Sequence, residues 1–161
     1  MRTLSIEEVN QVWDQVSQAS EKECRLLAQR MQKTQPVLMI YLLATDENLV
    51  EKEERGRLME AGSLVWATMA HYHPNLRPVT EEEIDRAEEA NFHHMKTLDE
   101  GSEIGCQDGI QKLVASYNQM PLLGAVLEAL MDGNEDEPEL LHEDVGLALL
   151  HLKTVIDCLD Q

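Results

Sequence analysis

The chain has 161 residues and a formal net charge of −18 at pH 7, and 43% of its side chains are apolar. That apolar content excludes disorder of the highly charged kind, and the length suffices for one domain that buries roughly two-thirds of its unfolded surface. The charge disfavours phosphate backbones and anionic lipid headgroups, so neither nucleic acid nor a membrane is expected as a partner, and it favours cations and basic protein surfaces.

The charge is unevenly placed. From Thr80 to Gln161, 20 acids stand against Arg86, Lys96, Lys112 and Lys153, a net of −16, which leaves −2 for the first 79 residues. Aromatic residues are only 4%, with a single Phe, so the core must come from Leu, Val, Ile, Met and Ala, and stacking platforms for bases are not expected. Cys24, Cys106 and Cys158 are odd in number and form no Cys-x-x-Cys pair, which points to reduced thiols and a cytoplasmic location. The first residues lack the apolar segment of a signal peptide, and no window approaches the roughly 18 apolar residues of a membrane span.

In chain order, the first helix is predicted over Ser5–Ser17 and the second over Ser20–Lys33. Each opens on a Ser three residues before a Glu, the reciprocal capping box, and Thr80-Glu81-Glu82-Glu83 repeats the device later. Ile6, Val9, Trp13 and Val16 share one face of the first helix; Cys24, Leu27, Ala28 and Met31 share one face of the second. Val37 to Ala44 is a run of eight apolar residues opening on Pro36, at a position where a first helical turn tolerates proline. A short central helix, surrounded by others, is expected there.

A long helix follows over Asn48–Tyr72. The segment His73-Pro74-Asn75-Leu76-Arg77-Pro78 then forbids helix continuation and marks a possible subdomain break over 73–79. Beyond it, helices are predicted over Thr80–Asp99, Glu103–Asn118, Pro121–Met131 and Glu143–Asp160. The stripe Ile84, Ala87, Asn91, Met95 and Leu98 faces the core in the first of these. No segment alternates as a strand does. The expected fold is all-α: a single compact domain, 1–161, of seven to eight helices in an irregular bundle. Its centre is expected to be Pro36–Ala44, Met59–Met69 and Val145–Leu159; a helical-repeat-like array is the alternative.

Three constellations bear on chemistry. Asp132-Gly133-Asn134-Glu135-Asp136-Glu137-Pro138-Glu139-Leu140-Leu141-His142-Glu143, numbered as a twelve-residue calcium loop, places Asp132, Asn134, Asp136 and Glu143 at ligand positions one, three, five and twelve. It departs from the pattern at position six, where Glu137 replaces the turn glycine, and at position eight, where Glu139 replaces an apolar residue. A degenerate, weakly binding Ca2+ site is the calcium reading; an acidic solvated connector is the plainer one.

Four of the six histidines, His71, His73, His93 and His94, flank the double-proline segment. Helical phase puts His71 and His93 toward solvent, which leaves His73 and His94 as partners in a transition-metal site, one ligand short of the usual minimum. Gly101, Gly105 and Gly109 surround Cys106, whose acidic neighbours Glu103 and Asp108 raise a thiol pKa, so Cys106 reads as a core residue and not as a nucleophile.

No phosphate loop, nucleophile elbow, His-Glu-x-x-His or dinucleotide fingerprint is present. Glu139-x-x-His142 matches half of a di-iron motif and has no second half. The sequence therefore favours a non-enzymatic protein acting by protein–protein contact, with a basic partner or through self-association. A calcium-binding module through 132–143 is the alternative, and a divalent-metal enzyme is third.

Overall fold

The computed structural model describes residues 1–44, 52–99, 115–131 and 142–161. Among these are seven helices and no strand: α1 (Ile6–Ser17), α2 (Glu21–Thr34), α3 (Pro36–Leu43), α4 (Lys52–Tyr72), α5 (Glu81–Asp99), α6 (Met120–Met131) and α7 (His142–Leu159). The protein is an all-α multi-helix bundle. Residues 103–114 of the expected helix Glu103–Asn118, and with them Cys106 and the three glycines, lie outside the described residues; Tyr117 and Asn118 are not helical.

The three capping boxes form as local chemistry dictates. The amide of Glu8 donates to Ser5 Oγ at 3.3 Å while the Ser5 amide donates back to Glu8 at 2.9 Å. Ser20 with Glu23 and Thr80 with Glu83 do the same. Each box satisfies orphan amides of a first turn and is worth about 1 kcal/mol. Pro36 opens α3 without a side-chain cap.

The centre of the bundle is α4 packed on α7. Leu58, Val65, Trp66 and Met69 of α4 and Leu152, Val155, Ile156 and Leu159 of α7 are all at most 2% exposed. Around this pair, α1, α2, α3 and α6 pack on α4, while α5 and α6 pack on α7. Elements from both sides of the double-proline segment thus meet on α7. The segment itself is pinned from a distance: Gln35, 1% exposed, donates from Nε2 to the Arg77 carbonyl (2.9 Å) and accepts the Val79 amide (2.9 Å). Gly62 lets α3 approach α4 closely, because a Cβ there would lie 2.5 Å from a Leu42 methyl carbon.

Several expected core faces are only partly covered. α3 is peripheral, not central: Leu38 and Leu42 are buried, but Ile40 is 64% and Leu43 62% exposed. An all-apolar run lacks a polar side to mark the outward face, so its composition overstated its burial. On α1, Ile6 is exposed and Val12 takes its place in the core. On α2, Met31 is buried and Leu27 half-buried, while Cys24 and Ala28 are exposed. On α5, Ile84 and Asn91 are buried as expected, but Met95 is 41% exposed, and the Leu98 side chain lies outside the described residues. Residues 92–96 of that helix are all exposed.

Candidate functional site

Of the described polar side chains of α7, Thr154 is buried and His151, Lys153 and Asp157 are half-buried, and partners from elsewhere in the chain answer them. Lys153 and Asp157, one turn apart, are 2.7 Å from each other. Asn91 of α5 lies against both: its Nδ2 donates to Asp157 Oδ2 (2.9 Å) and Thr154 Oγ1 (3.2 Å), and its Oδ1 accepts from Lys153 Nζ (2.7 Å). The Tyr117 hydroxyl donates to Asp157 Oδ1 at 2.6 Å, and Lys153 Nζ stands 4.5 Å from the Tyr117 ring centre. Burial, with the Asp157 carboxylate next in weight, pushes the Tyr117 phenol well above its ordinary range.

A second group follows one turn on. Asp160 accepts from Asn118 Nδ2 (2.8 Å) and Gln119 Nε2 (3.0 Å), and the Met1 amino group is 3.6 Å away. Gln119 also accepts the Leu4 amide at 3.2 Å, which anchors the fully buried Leu4. A third group ties α3 to α5 and α7: Tyr41 Oη donates to Glu88 Oε1 (2.8 Å) and lies 2.7 Å from His151 Nδ1. Burial lowers the His151 pKa against the opposing pull of Glu88, and burial raises that of Tyr41.

Beside the first two groups lies a cleft of 380 Å³ between α5 and α7, lined by Arg77, Glu83, Arg86, Asp157, Cys158 and Asp160 among others. Burial first, then Asp157 and Glu83, pushes its one thiol, Cys158, up to about 12, so the thiol keeps its proton at neutral pH. Glu83 is tied to Arg77 and to the Thr80 amide, and the guanidinium holds its carboxyl down at about 2. The carboxylates lining the cleft are therefore engaged in interhelical or capping bonds.

The two histidines proposed as metal partners have different surroundings. His73 has a buried Nε2 without a hydrogen-bond partner, and burial lowers its pKa. His94 is exposed, with Nδ1 3.1 Å from the Ala90 carbonyl of its own helix. His71 and His93 are exposed. Among the described residues no group of three or more His, Cys, Asp and Glu could hold a metal ion. Of the calcium loop, Asp132, Asn134 and Asp136 lie outside the described residues, as does the side chain of Glu143. No helix among the described residues is long and apolar enough to cross a membrane.

Among the described residues the outer surface, largely charged, also carries exposed large apolar side chains. Besides Ile40 and Leu43, it exposes Leu26 (55%), Phe92 (56%) and Met95. Phe92 borders a shallow depression of 570 Å³ on α5, together with Arg86, Glu89, Ala90, His93 and Lys96. Sequence reasoning missed the Tyr41, Glu88 and His151 cluster and the partners of Lys153 and Asp157. The available signal was the presence of Lys153, Thr154 and Asp157 inside the apolar run from Val145 to Leu159.

Comparison with protein-family models, with curated proteins and with solved structures gives no match for this chain.

Proposed function

We propose that this protein acts by protein–protein contact and not by catalysis, with a basic-rimmed, apolar-faced partner as the class its surface fits. The observation that carries the reading is α3, where Ile40 and Leu43, one turn apart, are each more than 60% exposed. Two large aliphatic side chains side by side in water are an unfavourable arrangement that a partner surface would relieve, at about 25 cal/mol per Å² covered. The interior polar groups support the same reading. Tyr41, Asn91, Tyr117, Lys153 and Asp157 bond to one another or to neighbouring helices, and Asp160 holds Asn118 and Gln119, which is the behaviour of ties within a scaffold. The net charge of −18 supplies the preference for a basic rim.

The test is affinity capture with the wild-type chain and with Ile40→Asp/Leu43→Asp, followed by mass spectrometry at low and moderate salt. The expected result is a defined partner recovered by the wild type in a salt-sensitive way and lost with the variant, whose melting temperature is unchanged. Recovery of the same proteins by both chains would overturn the reading.

A further inference from the structure

The helix that carries the proposed contact is held by a polar tie as well as by apolar anchors. α3 packs on α2 and α4 with Leu38 and Leu42 buried, and Tyr41 reaches past them to α5 and α7. Tyr41 is the one residue of α3 with a hydroxyl, amide or charged side chain. Its hydroxyl stands between Glu88 Oε1 at 2.8 Å and His151 Nδ1 at 2.7 Å, and Glu88 is itself 3.6 Å from that nitrogen. The rings of Tyr41 and His151 are tilted with centres 5.4 Å apart, so a side chain of α3 helps to cover the imidazole.

The count of hydrogens fixes the tautomer. A carboxylate only accepts and a phenol has one hydrogen, so that hydrogen lies toward Glu88 and the phenol oxygen accepts from His151. Neutral His151 therefore carries its hydrogen on Nδ1, and a second proton enters at Nε2. We propose that Tyr41, Glu88 and His151 form a pH-sensitive latch, which seats α3 on the bundle while His151 is neutral and releases it as the imidazole becomes charged. This rests on the reading of α3 as the contact helix and supplies its regulation. Ile40 and Leu43 are presented on a seated helix at neutral pH, and that presentation is lost in mild acid.

The direction follows from what surrounds the imidazole. With its side chain 14% exposed, a charged His151 loses most of its hydration, and among the described residues Glu88 of α5 is the charged group that opposes this loss. From α3 it faces the neutral Tyr41 phenol. On α7 itself, Lys153 is turned to Asn91 and Asp157, and Cys158, which acts on Tyr41, keeps its proton. Among the described residues, α4 and α6 bring no charge that acts on His151. Burial outweighs Glu88, so the seated imidazole takes its proton below the ordinary 6.5. When α3 lifts away, the ring regains water and with it affinity for the proton. The seat is therefore fully stable above 6.5 and weakens as pH falls toward the lower, seated value, tenfold for each unit between the two. Off the bundle, a helix of eight residues is too short to keep its own hydrogen bonds, so release also unwinds α3.

Hydrogen exchange of the α3 amides, corrected for the intrinsic pH dependence of exchange, reads this directly, because those amides exchange on release. Between about pH 7.5 and 5.5 the wild type is expected to lose protection in α3 while the buried parts of α4 and α7 keep theirs. His151→Gln is expected to abolish the pH dependence, Tyr41→Phe to lower α3 protection already at pH 7.5, and His73→Gln to leave the α3 response as it is. In the wild type, nitrogen NMR of the imidazole is expected to show the Nδ1–H tautomer at neutral pH, a readout that needs no variant. α3 protection independent of pH, the wild-type dependence persisting in His151→Gln, or wild-type protection in Tyr41→Phe would each overturn the latch. So would a response that vanishes in His73→Gln, a loss shared equally by α4 and α7, or an Nε2–H tautomer. Exchange is read without a partner, so the latch can stand or fall whether or not Ile40→Asp/Leu43→Asp loses a captured protein. Capture that is lost with that variant but equal at both pH values would overturn the regulation and leave the contact.

Discussion

Asn91 shows how much one buried amide can organise. It is 5% exposed, and its side chain both donates to Asp157 and accepts from Lys153. Asn91→Ala removes these two bonds and a third to Thr154, and leaves Lys153 and Asp157 with only each other and Tyr117. A loss of about 2–3 kcal/mol in urea unfolding is expected, with near-wild-type stability contradicting the network's role. Glu83 gives a pH-dependent counterpart. Its folded pKa of about 2 lies below the ordinary 4.5, so the stability it contributes is present above 4.5 and lost as pH falls toward 2. The wild type is expected to exceed Glu83→Gln in melting temperature at neutral pH, and the gap to close by about pH 2. His73 has the opposite chemistry and the same direction. Its folded pKa is lowered below 6.5, chiefly by burial, with Arg2 and the N-terminus adding to the effect and Asp160 and Glu8 opposing it. The unfolded state therefore takes the proton first, and stability falls as pH drops below 6.5. His73→Gln is expected to flatten the decline between pH 7 and 5, and an unchanged slope would exclude His73 as its source.

At the scale of elements, helix starts were legible because a capping box is a contact between residues three apart and needs no tertiary partner. Ser5, Ser20 and Thr80 each do what their spacing to a Glu requires. Buried faces were less legible, and α3 shows why. A run with no polar side gives periodicity nothing to phase against, and Pro36–Leu43 shows the same composition whether enclosed or peripheral. Its junction with α4 depends on Gly62, whose missing Cβ leaves room for the buried Leu42. Gly62→Ala is expected to destabilise by a net ~1–2 kcal/mol, since overpacking a buried contact outweighs the gain in helix propensity. Gly56, on the same helix, has nothing within 4 Å of its added Cβ, so Gly56→Ala is expected to be neutral or to stabilise by up to ~1 kcal/mol. Equal effects from the two changes in thermal unfolding would show that α3 does not pack closely at Gly62.

For the whole molecule, the question is what the charge of −18 does to a bundle of this size. Part of it is engaged locally: Glu8, Glu23 and Glu83 close capping boxes, Asp157 joins α7 to Asn91 of α5, and Asp160 holds Asn118 and Gln119. The rest acts as self-repulsion in the folded state. Raising salt from low ionic strength to ~0.15 M is therefore expected to increase the melting temperature, because screening relieves that repulsion over distances beyond about 8 Å. Exposed pairs such as Arg2 with Glu8 and Arg25 with Glu21 lose under the same screening, but solvent-exposed pairs of this kind contribute little. A melting temperature that falls with added salt would show that ion pairs outweigh repulsion here.

The amino-acid sequence alone determined that the chain is helical, where most helices begin and end, and that the Met59–Met69 part of α4 and the apolar run of α7 belong to the centre, to which it wrongly added α3. Those properties depend on contacts between residues three or four apart and on how apolar a segment is, and both are readable along a line. Only the tertiary structure decided which polar side chains meet, as when Tyr41 joins His151 across 110 positions or Thr3 joins Asn118 across 115. It also decided which apolar side chains remain uncovered, leaving Ile40, Leu43 and Phe92 at the surface. Helical phase says which residues share a face, but whether that face finds a neighbour depends on how many other helices reach it. At the end of α3 and beyond Asn91 on α5 the described helices leave large apolar side chains exposed, and the first of these is where the proposed partner contact lies.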